Sequence, residues 1–335
     1  MSERSDLLES IVDTIKDYRA DEIAEPTAKH VDRWINQFSE DAQVGLLREV
    51  HHVFNETYLA RDWMLRFLGR LVKNKKLAGE DACDFWAKAH FLQIQQRGLS
   101  QEEMLALFDE SLEEECGIAS AKCGKTGGDY VYIDDVMFSG SRVGNDLDTW
   151  ITNEAPARAT IHVIVAALHT LGHYLTKRRL AGVIVAAKKN IEVRYWRAKD
   201  VENRKSYKND SEVLWPAVLP DDKDVKKYLE RPQKFPFEPR KAGGKLGPFS
   251  SEEGRQLLER EMLIAGVHIR GLSKNPADIL RPLGFSPFGL GFGSMIATFR
   301  NCPNNCPLAL WWGDPEATSG PFHWYPLLPR KTYGQ

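Results

Sequence analysis

Residues 130–142 read YVYIDDVMFSGSR. Tyr130 to Ile133 form a short apolar run that ends in two acids, Asp134 and Asp135. Val136, Met137 and Phe138 follow, then the small turn Ser139-Gly140-Ser141, then Arg142 and Val143 at the head of SRVGNDLDTWITNE, a segment suited to a helix. The pattern predicts strand, turn, helix. In a parallel α/β sheet, ligands bind beyond the carboxyl ends of the strands, and this reading puts the acid pair at such an end. Two adjacent carboxylates there accept hydrogen bonds from the vicinal hydroxyls of a ribose, or approach a divalent cation chelated by the ligand. The turn's backbone N–H groups point at one spot, with the positive end of a helix dipole behind them. Gly140 lets the backbone come close, and Ser139 and Ser141 add hydroxyls. An acid pair and a phosphate cradle a few residues apart match a ribose 5-phosphate. The plainer alternative is a solvated Asp pair before an ordinary turn; the thirteen-residue pattern inside a βαβ context favours the site.

Working outward, DYVYIDDV, ATIHVIVAALHT, AGVIVAA and IEVRYW read as strands, with helices at SRVGNDLDTWITNE and LGHYLTKRRL between the first three. Continuous apolar strands alternating with helices predict a parallel sheet covered on both faces. Upstream, residues 26–112 are helical in pattern. Val31, Trp34, Ile35 and Phe38 share one face, as do Val44, Leu47, Val50 and Phe54, and Met64, Phe67, Leu68 and Leu71. Ser39 and Ser100 are N-cap candidates. Residues 1–25 read as a partly ordered leader or an isolated acidic helix. The fold expected is therefore an α/β parallel-sheet domain over 113–335, preceded by an all-helical domain over 26–112. A Pro/Lys-rich insertion at about 198–250 interrupts the α/β domain. Ser250 or Ser251 caps a helix at EEGRQLLEREMLIAGV, and GSMIATFRN and LALWW read as closing strands.

Composition sets limits. The 335 residues carry 45 basic and 47 acidic side chains, a net charge of −2 that leaves no overall footprint for nucleic acid. Nucleic acid would be met only indirectly, through a partner, despite local basic stretches such as LTKRRL. The acidic start lacks the pattern of a secretory signal. No run approaches the ~18 apolar residues that span a bilayer, so no membrane is expected and the chain reads as cytoplasmic. Five cysteines without a signal predict reduced thiols. The spacings Cys116–Cys123 and Cys302–Cys306 do not make a zinc site, and none is expected. His169 and His173, four apart, read as a surface or core pair. GLGFGS fails the strand-before, helix-after context of a phosphate loop.

The acid pair with its small turn resembles the PRPP-binding motif of type I phosphoribosyltransferases. Tyr132, where an aliphatic residue is usual, and Phe138, where a small one is usual, depart from it. Carried over by position, Asp134 and Asp135 take the ribose hydroxyls and serve as the catalytic acids, while Ser139, Gly140, Ser141, Arg142 and Val143 wrap the 5-phosphate. The resemblance implies Mg²⁺ bridged to the acids by the ligand, and PRPP or a nucleotide as that ligand. WINQF, LLREVHHVF and GLGFGSMIATFRNCPNNCPLALWW more loosely resemble a bacterial group of phosphoribosyltransferase-like proteins of defence-type gene clusters, some beside reverse transcriptases or protease-like effectors. That likeness implies an antiphage effector with a protein partner encoded nearby. In it, Asn301, Asn304 and Asn305 contact a base or a partner; as plain sequence, NCPNN is also ordinary turn chemistry.

No diphosphate-binding loop is evident upstream of Asp134. CGIASAKCGKTGG, with Lys122 and Lys125, is either a mobile cationic loop or a linker. Two functions therefore stand side by side. One is an enzyme that transfers or cleaves at the anomeric carbon. The other is a non-catalytic PRPP- or nucleotide-sensing or interaction module acting through a partner. Oligomers are compatible with either.

Overall fold

The computed structural model of the protein describes residues 2–20, 22–96, 98–231 and 236–330. Along the chain come α1 (Glu3–Ile15), α2 (Ala28–Ile35), α3 (Gln43–Thr57), β1 (Tyr58–Leu59), α4 (Arg61–Val72), α5 (Lys75–Ala78), α6 (Ala82–Lys88), β2 (His90–Phe91) and α7 (Ser100–Cys116). The sheet region holds β3 (Tyr130–Met137), α8 (Ser141–Asn153), β4 (Arg158–His169), α9 (Thr170–Ala186), β5 (Asn190–Trp196) and β6 (Lys199–Val201). The remainder contains α10 (Lys223–Leu229), α11 (Glu252–Gly271), β7 (Ala297–Thr298) and α12 (Leu308–Trp311).

Two compact units result. One joins residues 1–61 to 204–335; the other is 62–203. This differs from the expected division at 112/113. Periodicity identifies helices but not their partners, and the helices of 26–112 are shared out. Leu8, Ile11 and Ile15 of α1 enter one core with Trp34, Val50, Phe54, Met262, Trp311 and Leu328. The leader is thus an ordered helix, capped by Ser2. α7 instead packs on β3.

The 62–203 unit is built on a parallel sheet in the order β2-β3-β4-β5, with β6 beside the end of β4. Val131, Ile133, Val163 and Val165 are essentially inaccessible, as strands covered on both faces require. AGVIVAA, expected as a strand, is the second half of α9. A short apolar run does not distinguish a strand from a helix segment. Here Val183 and Ile184 pack toward the sheet while Val185 stays 77% exposed. LALWW is likewise not a strand: Leu308–Trp311 is a helical turn, and the Ala309 carbonyl accepts both the Trp34 and the Trp324 indole N–H. Cys83 and Cys116 form a disulfide, contrary to the expectation of five reduced thiols. The packing of α6 beside the last residue of α7 brings them together, which a cysteine count cannot reveal. Among the described residues no helix is long and apolar enough to cross a membrane.

In the other unit, the stretch expected as an excursion is anchored by buried charge; its residues 232–235 lie outside the described residues. Arg240 Nη2 lies 3.0 Å from Glu259 Oε2, and Arg255 Nε donates to Glu259 Oε1 at 2.9 Å. All three side chains are almost completely buried. α11, which carries Glu259, begins at Ser251, whose hydroxyl accepts from the Gly254 amide. Removing the shared anion leaves two buried guanidiniums short of a counter-charge. Glu259→Ala is expected to cost about 3–5 kcal/mol, read as a lowered urea midpoint; an unchanged midpoint would show that the anchor carries no stability.

Candidate functional site

β3 lies between β2 and β4, and it stays paired with β4 as far as Met137. The register runs Asp134↔Val165, Val136↔Ala167 and Met137↔Leu168. The acids therefore sit inside the paired strand rather than past its tip, and the turn begins only at Phe138. Neighbouring strand positions project to opposite faces. Asp134 is 3% exposed, whereas Asp135 is half-buried. Each carboxylate accepts a main-chain amide of the next residue: Asp134 Oδ1 from Asp135 N–H at 2.9 Å, Asp135 Oδ1 from Val136 N–H at 2.6 Å.

Asp134 is unusual electrostatically. Burial, and then the charge of Asp135, push its pKa up to about 7. The Ser100 hydroxyl, the Asp135 amide and the Arg142 guanidinium pull the other way. Arg142 Nη1 also donates to Ser100 Oγ at 3.0 Å. One acid of the pair is thus tied to the first turn of α8 and to the start of α7, while the other is half-buried and accepts from the Val136 amide.

The turn is fixed by main chain against main chain. Gly140 has φ 72°, and a Cβ there would fall 2.6 Å from the Gly172 carbonyl oxygen and 2.0 Å from Thr176 Oγ1. A Cβ on Gly172 would fall 2.0 Å from the Phe138 carbonyl oxygen. Thr176 Oγ1 donates to the Gly140 carbonyl at 3.1 Å. Beyond this contact Ser139, Ser141 and Arg142 are exposed, and Ser139 Oγ donates to Ser141 Oγ at 3.1 Å. Val143 turns its side chain into the core, so only its main chain is available to a ligand. The first-turn amides of α8 have no acceptor within the helix, and they lie behind two exposed hydroxyls and a cation.

The two departures from the motif have structural reasons. The Tyr132 hydroxyl donates to Asp146 Oδ2 at 2.9 Å, a bond from β3 to α8 that an aliphatic residue cannot make. The Phe138 ring stacks on His169 at 5.0 Å. His169 Nδ1 lies 3.1 Å from the Met137 carbonyl oxygen, which can only accept, so Nδ1 carries the proton. Complete burial drops the His169 pKa to about 4, leaving a neutral ring that holds the end of β3.

A second strand–turn–helix corner, not recognised in the sequence, lies next to the first. β2 ends at Phe91, Leu92 N–H donates to the Val131 carbonyl, and residues 92–99 lead into α7. Gln101 Oε1 accepts from Ile94 N–H at 2.8 Å and Gln95 N–H at 3.1 Å, and Gln95 Oε1 accepts from Gln101 N–H at 3.0 Å. Gln101 is buried with its Nε2 unpartnered among the described residues. Arg97 lies outside the described residues. His90–Phe91 is too short to show alternation, and HFLQI reads as part of a helical pattern; the Gly98 just ahead of α7 is the available signal. Lys122 and Lys125, by contrast, precede β3 and so stand at its amino end, away from the turn.

Asn301, Asn304 and Asn305 belong to the other compact unit. Asn301 exchanges main-chain bonds with Thr298, while the Asn304 and Asn305 carbonyls accept from Phe285 N–H and Ser294 N–H. Among the described residues no three His, Cys, Asp or Glu side chains gather as a metal site. A cation near Asp135 would depend on oxygens brought by a ligand.

The model of the PRTase-CE family matches residues 31–330. Comparison with curated proteins gave no match, nor did comparison with solved structures.

The raised Asp134 pKa makes stability depend on pH in a defined direction. The folded protein holds this proton more tightly than the unfolded chain, whose carboxyl titrates near 3.8. The contribution is present below about pH 4 and is lost as pH rises through about 7. Asp134→Asn, which cannot ionise, should gain on the wild type by roughly 2–4 kcal/mol between those limits. Urea unfolding at several pH values measures this, and a wild-type-minus-variant difference that does not change with pH would contradict it.

Proposed function

This chain belongs to the PRTase-CE family and is a phosphoribosyltransferase-like protein, and from that premise we propose that it binds a ribose 5-phosphate ligand, PRPP or a nucleotide, at the β3–α8 corner. The observation that carries the proposal is the glycine-locked turn at 138–141, with exposed hydroxyls and helix amides beside a half-buried carboxylate. The 5-phosphate lies on the amides of Gly140, Ser141, Arg142 and Val143, with Ser139 and Ser141 donating hydroxyls and Arg142 supplying charge. Asp135 accepts from the ribose hydroxyls. Asp134 holds the Asp135 amide from inside. The start of α7 takes the phosphates at the other end of a PRPP ligand. Mg²⁺, held by the ligand's own oxygens with Asp135 nearby, would supply positive charge to that diphosphate.

Bond cleavage at the anomeric carbon passes through an oxocarbenium-like centre. The contribution of these residues is to position the sugar and to place the Asp135 carboxylate near the developing positive charge. In the cell this is an effector of bacterial antiphage defence, working in the cytoplasm with a protein partner, as the sequence likeness implies. A non-catalytic sensor is the second reading. It is favoured by the burial of Asp134, which leaves Asp135 as the one carboxylate of the pair placed to meet a sugar.

Thermal shift with PRPP and nucleotides, with and without Mg²⁺, tests binding. The wild type should be stabilised, and the double variant Asp134→Asn/Asp135→Asn should fold but show no shift. An undiminished shift in that variant would place the ligand elsewhere. Mass spectrometry of the same mixtures separates the readings: loss of ligand with release of its base or diphosphate marks the enzyme, and intact ligand marks the sensor.

A further inference from the structure

The sheet of the 62–203 unit has an open edge. β5 pairs with β4, and among the described residues no other strand pairs with it. The Asn190 amide donates to the Ala157 carbonyl on the β4 side, and the Ala198 amide to the Ala166 carbonyl. With the period of two, the main-chain groups of residues 190, 192, 194 and 196 face β4, and those of Ile191, Val193 and Tyr195 face outward. The Tyr195 carbonyl accepts one long bond, from Arg197 Nη1 at 3.4 Å on the surface. An exposed ladder of this kind is a template for another strand unless something guards it.

What this edge carries is self-complementary. Its sequence is Asn190-Ile191-Glu192-Val193-Arg194-Tyr195-Trp196. A two-fold axis through Val193 sets two copies antiparallel, with residue 193 opposite itself, 191 opposite 195, and 192 opposite 194. The outward-facing groups at 191, 193 and 195 then fall at the hydrogen-bonded positions. Glu192 and Arg194 fall at the non-bonded positions, where opposed side chains approach most closely. Every acid meets a base. Within one copy Arg194 already grips Glu192 with two 2.8 Å bonds, and both side chains remain exposed, at 45% and 59%. Pairing two copies closes these into an alternating four-charge cluster without leaving any charge unmatched.

The helix that precedes β5 carries exposed apolar residues. α9 meets β5 near its start, where His173 lies against Tyr195 at 4.4 Å. It leaves Tyr174, Leu175 and Val185 exposed, at 51%, 45% and 77%.

We propose that two copies of this chain pair antiparallel through β5 about Val193, extending the sheet across a two-fold axis. The occupant is a second copy because the charge order of the edge matches its own reverse, as an isologous interface requires. The pairing leaves the carboxyl end of β3 untouched, since β4 separates β3 from the edge.

Sedimentation or light scattering of the full chain tests this. The wild type should show twice the monomer mass. Glu192→Lys and Arg194→Glu each place like charges opposite one another twice, and each should weaken the dimer roughly tenfold. The combined Glu192→Lys/Arg194→Glu variant swaps the charges symmetrically and should recover the dimer. Circular dichroism confirms that each variant folds. A monomeric wild type, a dimer indifferent to the single reversals, or a double variant that stays monomeric would overturn the proposal.

Discussion

The 62–203 unit turns on one contact, the seating of the Phe138–Gly140 main chain against the first turn of α9. No side chain fits between them, because a Cβ at either Gly140 or Gly172 would overlap the other segment. The contact fixes where β3 stops, since the His169 ring bonds the Met137 carbonyl and stacks on Phe138 just before the turn. It also fixes where α8 starts, because Gly140 supplies the left-handed conformation from which the helix departs. Strand, turn and helix are thus placed by steric exclusion, and the outer surface of the turn is left to hydroxyls, amides and Arg142.

The same constraint gives the acid pair its asymmetry. Because β4 keeps β3 paired through Met137, the two carboxylates project from opposite faces of a strand rather than side by side from a tip. One is buried and holds its proton to about pH 7; the other is half-buried. Two anions one residue apart repel, and the protein relieves this by burying one of them. Arg142 moderates the result, sitting in the first turn of α8 and reaching Ser100 at the start of α7. The two strand–turn–helix corners, β3–α8 and β2–α7, are therefore linked by a charge and a hydroxyl as well as by the sheet.

Much of this arrangement was readable from residues 130–142, where local chemistry is dense: a strand, two acids, a glycine turn and a helix head in thirteen positions. α8, β4 and the first half of α9 followed from the same periodicities. Four kinds of feature were not readable. The partner of a helix is set by tertiary packing, which is why α1 to α3 join residues beyond 204 while α7 joins the sheet. The state of a short apolar run depends on what precedes it: AGVIVAA continues α9, and LALW is a turn of helix beneath two tryptophans. The β2–α7 corner was hidden because a two-residue strand carries no period at all. Cys83 and Cys116 are 33 residues apart in sequence, and only the packing of α6 against the end of α7 makes them neighbours.

The most direct measurement is a crystal structure of the protein grown with ribose 5-phosphate. The account predicts density for the phosphate on the amides of residues 140–143, with the ribose hydroxyls directed at Asp135. Phosphate bound away from that turn, or a turn that stays empty at saturating ligand while the rest of the protein is well ordered, would contradict it.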